Sequence, residues 1–416
     1  MVLSNSGALS LEKLLENIRP LVTKARSLND DIGIVYNVMG GLEEYQGNLE
    51  LAEAYYRKAI EVSPGYTTAY NWLAMFLNTF LGEYDEALEL FRTASELDPV
   101  ATLSRYNLAA QLSNVGKPQE AIDVILKTIE INPTSYTTFG FGAELLALGF
   151  GRYADGLVWA QYSSSLDVSF MSLPPVFYSS LGDLETSAKW NKPYVDLYPD
   201  STFARQNRME IFAASGEPEK AAELARLILK QSRDTYPAAY IVSVLGDFYV
   251  AEERENDAVE LYNHFFPELF GESPSVNRAN VEAAVDLIRL DQFADIAGVS
   301  SVLAERSLDV LESMPRMAPA GKSILDVELH AIRGNRDAAV AAFAEALDSG
   351  WYRYLSPLRS YPNLESIADD PEFIRLLALN QQRVDQELAK VREMERNGQL
   401  ARTPGDLPNI KFAFKY

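Results

Sequence analysis

The sequence predicts an all-α fold, an α–α superhelix of about nine helical hairpins with a C-terminal capping helix. A chain of 416 residues exceeds one ordinary core, so it is either several domains or an array that grows in one dimension. A pattern of glycine, small residue, large residue and small residue also recurs about every 34 residues. The prolines that close its first three copies, Pro64, Pro99 and Pro133, are spaced 35 and 34 residues apart.

Each residue of the pattern has a structural role in a helical hairpin. The glycine ends the first helix, because a residue without a Cβ can turn the chain in the left-handed conformation. In the second copy, Ala87 and Ala94 lie where the second helix packs close to its neighbour, and Phe91 fills the gap between them. The proline then stops the second helix. Strong copies begin at Gly47, Gly82, Gly116 and Gly334, and weaker copies at Gly151, Gly182 and Gly216, with another marked by Ala258 and Tyr262.

The pattern divides the chain into segments that differ in how well they match. We expect a half-repeat helix in 1–30, the array in 31–270, a degenerate repeat in 271–320, a final unit in 321–356, a capping helix in 357–400 and a tail in 401–416. Asp369-Asp370-Pro371 indicates a helix start with an acidic cap and proline at its first position. The end of the tail alternates apolar and charged residues, which suits docking against another part of the molecule.

This period and residue pattern resemble the tetratricopeptide repeat. Two stretches, Tyr66 to Pro99 and Gly350 to Phe373, also resemble the C-terminal tetratricopeptide arrays of bacterial one-component regulators. In those proteins the array follows a winged-helix or adenylate cyclase domain, and this sequence shows neither. The resemblance implies a sensory or oligomerising part of a bacterial regulatory protein, either separated from its effector or a stand-alone relative.

Composition narrows the classes of partner. Lys and Arg total 37 and Asp and Glu total 59, giving a net charge of −22, which disfavours direct binding to nucleic acid or anionic lipid. The absence of cysteine excludes disulfides and thiolate metal sites. No signal peptide and no membrane span are expected. The predicted location is the cytoplasm, or the periplasm if the chain is detached from a membrane-bound parent.

The sequence offers no recognisable catalytic, metal or cofactor site. Its two histidines, His264 and His330, lie 66 residues apart, and neither has another imidazole or a thiol nearby in the sequence. Carboxylate pairs are expected among 59 acids, so the chain is predicted not to be an enzyme. A deep cleft with several converging acidic side chains would instead favour the hypothesis of an enzyme with a carboxylate active site.

The predicted function is a non-catalytic scaffold that binds a protein or peptide, with self-association as a further option. The geometry of the repeat turns positions 2, 5, 9 and 12 or 13 of each first helix toward a concave groove. The expected partner-binding residues are Asn71, Met75, Asn78, Tyr106, Asn114, Gln206, Glu210, Tyr240, Ser243 and Asp247. These positions carry no lysine, which disfavours capture of a terminal carboxylate.

The alternative function is a small-ligand sensor with a pocket between helices. Its candidate walls are two aromatic groups, for which core packing is the competing interpretation. They are Tyr66, Tyr70, Trp72 and Phe76, and Phe139, Phe141, Tyr153 and Trp159.

Overall fold

The computed structural model describes residues 11–199, 201–231, 239–271, 273–291, 299–318, 321–355, 362–410 and 412, and these form helices and no strands. Helix α1 (Leu11–Leu28) comes first, and nine hairpins follow, each pairing a helix A with a helix B. Units 1 to 4 are α2 (Gly33–Tyr45) with α3 (Leu49–Val62), α4 (Thr67–Phe76) with α5 (Tyr84–Leu97), α6 (Thr102–Asn114) with α7 (Pro118–Ile131), and α8 (Tyr136–Glu144) with α9 (Tyr153–Leu166). Helices α4 and α8 each continue as a short π-helical segment, Leu77–Leu81 and Leu145–Gly149.

The later units keep the same order. Units 5 to 9 are α10 (Leu173–Ser180) with α11 (Leu184–Leu197), α12 (Thr202–Ala214) with α13 (Pro218–Gln231), α14 (Ala239–Ala251) with α15 (Glu255–Phe265), α16 (Val281–Leu290) with α17 (Val299–Glu312), and α18 (Leu325–Ile332) with α19 (Arg336–Asp348). A 3₁₀ segment, Pro362–Ile367, then leads to the long helix α20 (Pro371–Arg396). The predicted α–α superhelix of about nine hairpins is therefore confirmed.

The small–large–small pattern packs consecutive hairpins together as predicted. In unit 2, Ala87 and Ala94 have no exposed surface and Phe91 is 4% exposed. In unit 1, Ala52 and Ala59 are likewise fully buried. Because helix B lies this close to its neighbours, no larger side chain fits at the alanine positions.

The turns between helices A and B adopt left-handed backbone geometry. The turn glycine of unit 2, Gly82, has φ of +69° and that of unit 6, Gly216, has φ of +74°. In unit 7 the turn contains Glu253 with φ of +57°, where most side chains are disfavoured. Unit 7 therefore lacks the turn glycine of the repeat pattern, although its turn has the same left-handed backbone geometry.

The loops that follow units 7 and 8 lie on the A–B turns of units 2 and 3. Arg278 donates a hydrogen bond to the backbone oxygen of Asn114 at 3.1 Å, and its guanidinium lies 3.4 Å from the ring centre of Tyr84. A Cβ built on Gly116 would lie 3.9 Å from Pro315. One stretch of the superhelix therefore packs edge to edge on an earlier one.

The segment after unit 9 continues this contact on units 4 and 5. We call residues 350–355 the strap. The backbone N–H of Tyr354 donates to the oxygen of Ser180 at 2.7 Å, and the Tyr352 hydroxyl donates to the oxygen of Gly151. The strap therefore covers the A–B turns of units 4 and 5.

Helix α20 begins as the sequence predicts and then crosses to units 4 and 5. The Asp370 carboxylate accepts hydrogen bonds from the N–H groups of Glu372 and Phe373 at 2.9 and 3.1 Å, which confirms the acidic cap. Further along, Glu387 accepts the N–H of Ala154, in the first turn of α9, at 2.8 Å, where the helix dipole favours a carboxylate.

The described part of the predicted tail is docked against α9. Gln161 is fully buried, and its amide donates to the oxygen of Ala401 at 2.8 Å and accepts the Ala401 N–H at 2.7 Å. Leu400 and Leu407 are buried in the same cluster, and Phe412 contacts the ring of Tyr162 with a centroid distance of 5.3 Å. Residues 411 and 413–416, the rest of the alternating ending, lie outside the described residues.

Of the eight aromatic residues predicted as pocket walls, Tyr66, Tyr70 and Trp72 are half-buried and the other five are buried. Phe76, Phe139 and Trp159 are each 1% exposed, and the rings of Phe139 and Trp159 meet edge to face at 5.4 Å. Their role is core packing.

Candidate functional site

The helices A of units 6 to 9 present a polar surface that we call the inner face. Helix α14 contacts α16, α16 contacts α18, and Pro362–Ile367 packs against α18. Helices A line the concave wall of a superhelix of this kind. The inner face therefore extends over four units and ends at the 3₁₀ segment before α20.

Five of the predicted partner-binding residues lie together on the first half of the inner face. Gln206 and Glu210 on α12 and Tyr240, Ser243 and Asp247 on α14 are all half-buried. Burial raises the pKa of Glu210, with Tyr240 acting in the opposite direction, and burial followed by the charge of Glu210 raises the pKa of Tyr240. The two side chains are therefore close enough to interact.

The predicted residues of units 2 and 3 have different surroundings. Asn71 is 7% exposed, donates to the Ser104 hydroxyl at 3.1 Å and accepts from Asn107 at 2.8 Å. Its side chain therefore joins α4 to α6 and has little capacity left for a ligand. Met75 is 45% exposed, and the backbone of Asn114 is held by Arg278.

The two remaining predicted residues are half-buried. The Asn78 side-chain oxygen accepts no hydrogen bond from the described residues. The ring of Tyr106 packs on Phe141 with centroids 4.6 Å apart, and burial raises the pKa of its hydroxyl. The ten predicted residues thus do not form one continuous surface. Their role in partner binding stays a prediction.

Four carboxyl groups lie together where the first half of the inner face meets the second, and we call them the acidic cluster: Asp247, Glu282, Asp286 and Glu328. Glu282 and Asp286 lie one turn apart on α16, and Glu328 lies on α18. Asp286 accepts the Tyr262 hydroxyl at 2.8 Å, and Asp247 pairs with Arg289. Asp286 and Glu328 are 3% and 7% exposed, so both carboxyl groups are nearly removed from bulk water.

Asn363 joins two members of the acidic cluster. Its side-chain nitrogen donates to Glu328 Oε2 at 2.9 Å and to Asp286 Oδ1 at 3.3 Å. Its side-chain oxygen has no hydrogen-bond donor among the described residues, although Asn363 is only 8% exposed. An unpaired buried acceptor costs free energy. The side-chain oxygen of Asn363 is therefore available to accept a hydrogen bond from a bound group.

Burial changes the proton affinity of the acidic cluster. Desolvation, followed by the charges of Asp286 and Glu328, raises the pKa of Glu282 to about 8. Desolvation also raises the pKa of Glu328 to about 8, against the opposing hydrogen bond from Asn363. Asp247 has a pKa raised to about 6, because burial and Asp286 outweigh the pairing with Arg289. Near neutral pH the cluster therefore holds protons that exposed carboxyl groups would have lost.

The sequence interpretation missed most of the acidic cluster. Helix α16 lies in the segment of weak consensus, where the repeat pattern does not predict which positions face the groove. A usable signal was present: Glu282, Asp286 and Arg289 are spaced i, i+4 and i+7 in an otherwise apolar helix. That spacing puts all three on one helical face.

Two further properties of the described residues concern the kind of site. They contain no group of three or more His, Cys, Asp or Glu side chains placed to hold a metal ion. Among them, no helix has the length and apolarity needed to cross a membrane.

Comparisons with known proteins agree with the repeat pattern. The family model described as tetratricopeptide repeat matches residues 39–99, which include α3, α4 and α5. No curated protein matches the chain. The family match therefore covers part of unit 1 and all of unit 2, and the later hairpins are seen in the structure.

Several solved structures are similar to the chain. One is YrrB, described as a TPR protein with an unusual peptide-binding site, at 20% identity and a TM-score of 0.29, over 51% of this chain and 93% of YrrB. Another is the human IFIT1 dimer with m7Gppp-AAAA, at 15% identity and a TM-score of 0.46, over 90% of this chain and 86% of IFIT1. The human IFIT1 dimer with PPP-AAAA gives the same identity, coverage and TM-score.

Proposed function

We propose that the chain is a non-catalytic scaffold whose inner face binds a segment of a partner protein. The observation that carries this proposal is the run of half-buried side chains that can form hydrogen bonds, from Gln206 and Glu210 on α12 to Tyr240, Ser243 and Asp247 on α14. Amide, hydroxyl and carboxyl groups on a concave helical wall can bond to an extended backbone or hold a helix. Tyrosine adds contact area at a low cost in conformational entropy.

The charge of the inner face favours a neutral or basic segment. The whole chain carries a net charge of −22, and carboxyl groups continue from Glu210 to the acidic cluster. Complementary charge raises the rate of association and disfavours acidic partners. Burial raises the pKa of Glu210, and the positive charge of Arg353 in the strap acts to lower it. The negative charge of the inner face is therefore partly offset at this position.

The finer role we propose is regulatory, with the chain acting in the cytoplasm as the sensory or oligomerising part of a bacterial regulator. Support comes from the two stretches that resemble regulator arrays, Tyr66 to Pro99 and Gly350 to Phe373. Light scattering over a range of concentrations tests self-association. Co-purification of a DNA-binding or cyclase protein with the chain tests the regulatory role, and recovery of a monomer without such a partner contradicts it.

Selection from a displayed library of random peptides tests binding at the inner face. Peptides selected on the wild-type chain should bind the variant Gln206→Ala with Tyr240→Ala at least about tenfold more weakly. A tenfold loss of affinity corresponds to about 1.4 kcal/mol of lost hydrogen bonding and contact area. Glu96→Gln, at an exposed position on α5, is the matched control and should leave the affinity unchanged. Equal binding to all three proteins would place the binding site elsewhere.

A small-ligand sensor is the second candidate, favoured by a cleft between α11 and α12. The cleft has a volume of about 240 Å³ and its lining includes Asn191, Lys192 and Arg208. Asn191 is 2% exposed, and neither end of its amide has a hydrogen-bond partner among the described residues. A thermal-shift screen of small carboxylic acids, amides, nucleotides and sugars tests it. A true ligand should raise the melting temperature of the wild-type chain but not of Asn191→Ala, and identical responses would reject the cleft.

A further inference from the structure

We propose that the acidic cluster is a binding site for one ammonium or guanidinium group, at the end of a lysine or arginine side chain of the partner segment or of a free polyamine. The chemistry of the cluster carries this inference. Its assignment to a partner side chain rests on the proposed function. The relevant groups are Asp247, Glu282, Asp286, Glu328 and the Asn363 amide.

The first argument is the surplus of hydrogen-bond acceptors. Asn363 donates both of its side-chain hydrogens, to Glu328 and Asp286, while its oxygen receives none from the described residues. Glu282 likewise has no hydrogen bond or ion pair with them. The buried Nε of Arg289 also has no partner among the described residues, so the unpaired oxygens of Asn363 and Glu282 are not satisfied by the guanidinium already present. Ammonium and guanidinium groups offer three and five N–H donors without an acceptor.

The second argument is the imbalance of charge. Arg289 is the cation that acts on the cluster within α16, and it pairs directly with Asp247. The charge of this one guanidinium acts on Asp247, Asp286 and Glu328, whereas the charges that act on Glu282 are those of Asp286 and Glu328. Buried charge of one sign is costly unless it is paired or neutralised. A second cation would supply the missing partner.

The third argument is that the cluster keeps its acids protonated when no cation is bound. Burial raises the pKa of Glu282 and of Glu328 to about 8, so at pH 7 both are mainly neutral. A bound cation favours the ionised form and lowers these pKa values. Binding should therefore release protons, and affinity should rise between pH 6 and pH 8.

Titratable and charged groups from several neighbouring elements face the acidic cluster. They are Glu210 on α12, Tyr240 and Asp247 on α14, Tyr262 on α15, Glu282, Asp286 and Arg289 on α16, Glu328 on α18, and Arg353 of the strap. Burial raises the pKa of Tyr240 and of Tyr262, so both phenols stay neutral between pH 6 and pH 8. The protons released on binding in that range therefore come from the carboxyl groups.

Isothermal titration calorimetry on the full chain tests the site. The ligands are Nα-acetyl-lysine methylamide, the matching arginine and norleucine compounds, and spermidine, each titrated in two pH 7 buffers that differ in ionisation enthalpy. We expect the lysine or arginine compound to bind with release of protons and the uncharged norleucine compound not to bind. Affinity should rise at least about threefold from pH 6 to pH 8. Binding of spermidine alone would identify a free polyamine as the source of the cation.

Glu282→Gln combined with Glu328→Gln is the deciding variant. Glutamine keeps the size of each side chain and removes its charge, so cation affinity should fall at least about tenfold while the circular dichroism spectrum stays helical. Glu50→Gln with Glu96→Gln, at two exposed positions, is the matched control and should bind like the wild type. If the double variant does not fold, the comparison of lysine and norleucine compounds on the wild type decides.

Two results would overturn the proposal: no charged compound binds the wild type, or the lysine and norleucine compounds bind equally. Unchanged cation affinity in a folded double variant would also reject it. These outcomes are separable from failure of the proposed function. If neutral library peptides bind the inner face but no charged compound binds, the scaffold function is supported and the cation site is rejected. If the charged compounds bind but no library peptide does, the cation site is supported and the scaffold function is rejected.

Discussion

Replacement of Glu282 by glutamine should make the stability of the chain less sensitive to pH. In the unfolded chain this carboxyl group has a pKa near 4.5, and in the folded chain near 8. Between those values the folded state binds more protons than the unfolded state. Its stability therefore falls as the pH rises, which is opposite to the usual behaviour of a salt-bridged carboxylate. Glutamine does not titrate and removes this contribution.

The size of the effect follows from the gap between the two pKa values. One pH unit corresponds to about 1.4 kcal/mol, so a gap of about 3.5 pH units sets an upper limit of about 5 kcal/mol at pH 8. Part of the rise comes from Asp286 and Glu328, and Glu328 itself titrates over the same range. We therefore expect the free energy of unfolding of Glu282→Gln, relative to wild type, to increase by about 2 kcal/mol between pH 5 and pH 8.

Urea unfolding followed by circular dichroism at pH 5, 6, 7 and 8 measures this difference. The wild-type slope alone is insufficient, because repulsion within a chain of net charge −22 also grows as carboxyl groups ionise. Glu96→Gln removes one exposed carboxyl group and serves as the control. A constant difference between wild type and Glu282→Gln at every pH, or the same trend in both variants, would refute the reasoning.

Three further predictions concern the repeats and the docked C-terminal segment. Ala87→Trp fills a position with no exposed surface and should destabilise the chain by about 1–3 kcal/mol or more; unchanged melting would mean that the packing is misassigned. Gln161→Ala removes both hydrogen bonds to Ala401 and should cost about 2 kcal/mol, with faster proteolysis after α20; equal cleavage rates would count against docking. Glu253→Gly relieves a left-handed backbone and should increase the free energy of unfolding by up to about 1 kcal/mol, seen as a higher melting temperature; a lower melting temperature would contradict the strain.

The hairpins were predictable from the sequence because their determinants are local. Ala87 and Phe91 lie four residues apart on one helix and pack within the same pair of units, so their spacing alone reports the contact. The cap at Asp370 is local in the same sense, since it bonds to residues two and three positions away. The small–large–small spacing recurs in successive units with the same physical cause.

The contacts between distant units could not be predicted in this way. Arg278 and Asn114 are 164 residues apart, and they meet only because small rotations between successive units add up along the superhelix. The repeat pattern does not determine the total rotation accumulated over many units. The acidic cluster lies between consecutive units, but it was not predictable either, because Asn363 reaches Asp286 from a 3₁₀ segment that lies outside the repeat pattern.

The docked C-terminal segment and the acidic cluster are parts of one arrangement. Asn363 supplies the amide of the cluster, and the strap just before it is fixed to Ser180 through Tyr354. Asn380 on α20 holds the same strap from the other side, by accepting the N–H of Arg353 at 3.2 Å and donating to its oxygen at 2.8 Å. Because these attachments flank Asn363 in the chain, they restrict where its amide can lie. The edge contacts between distant units therefore help to pre-organise the inner face, and pre-organisation is what lets a polar site bind without a large entropic cost.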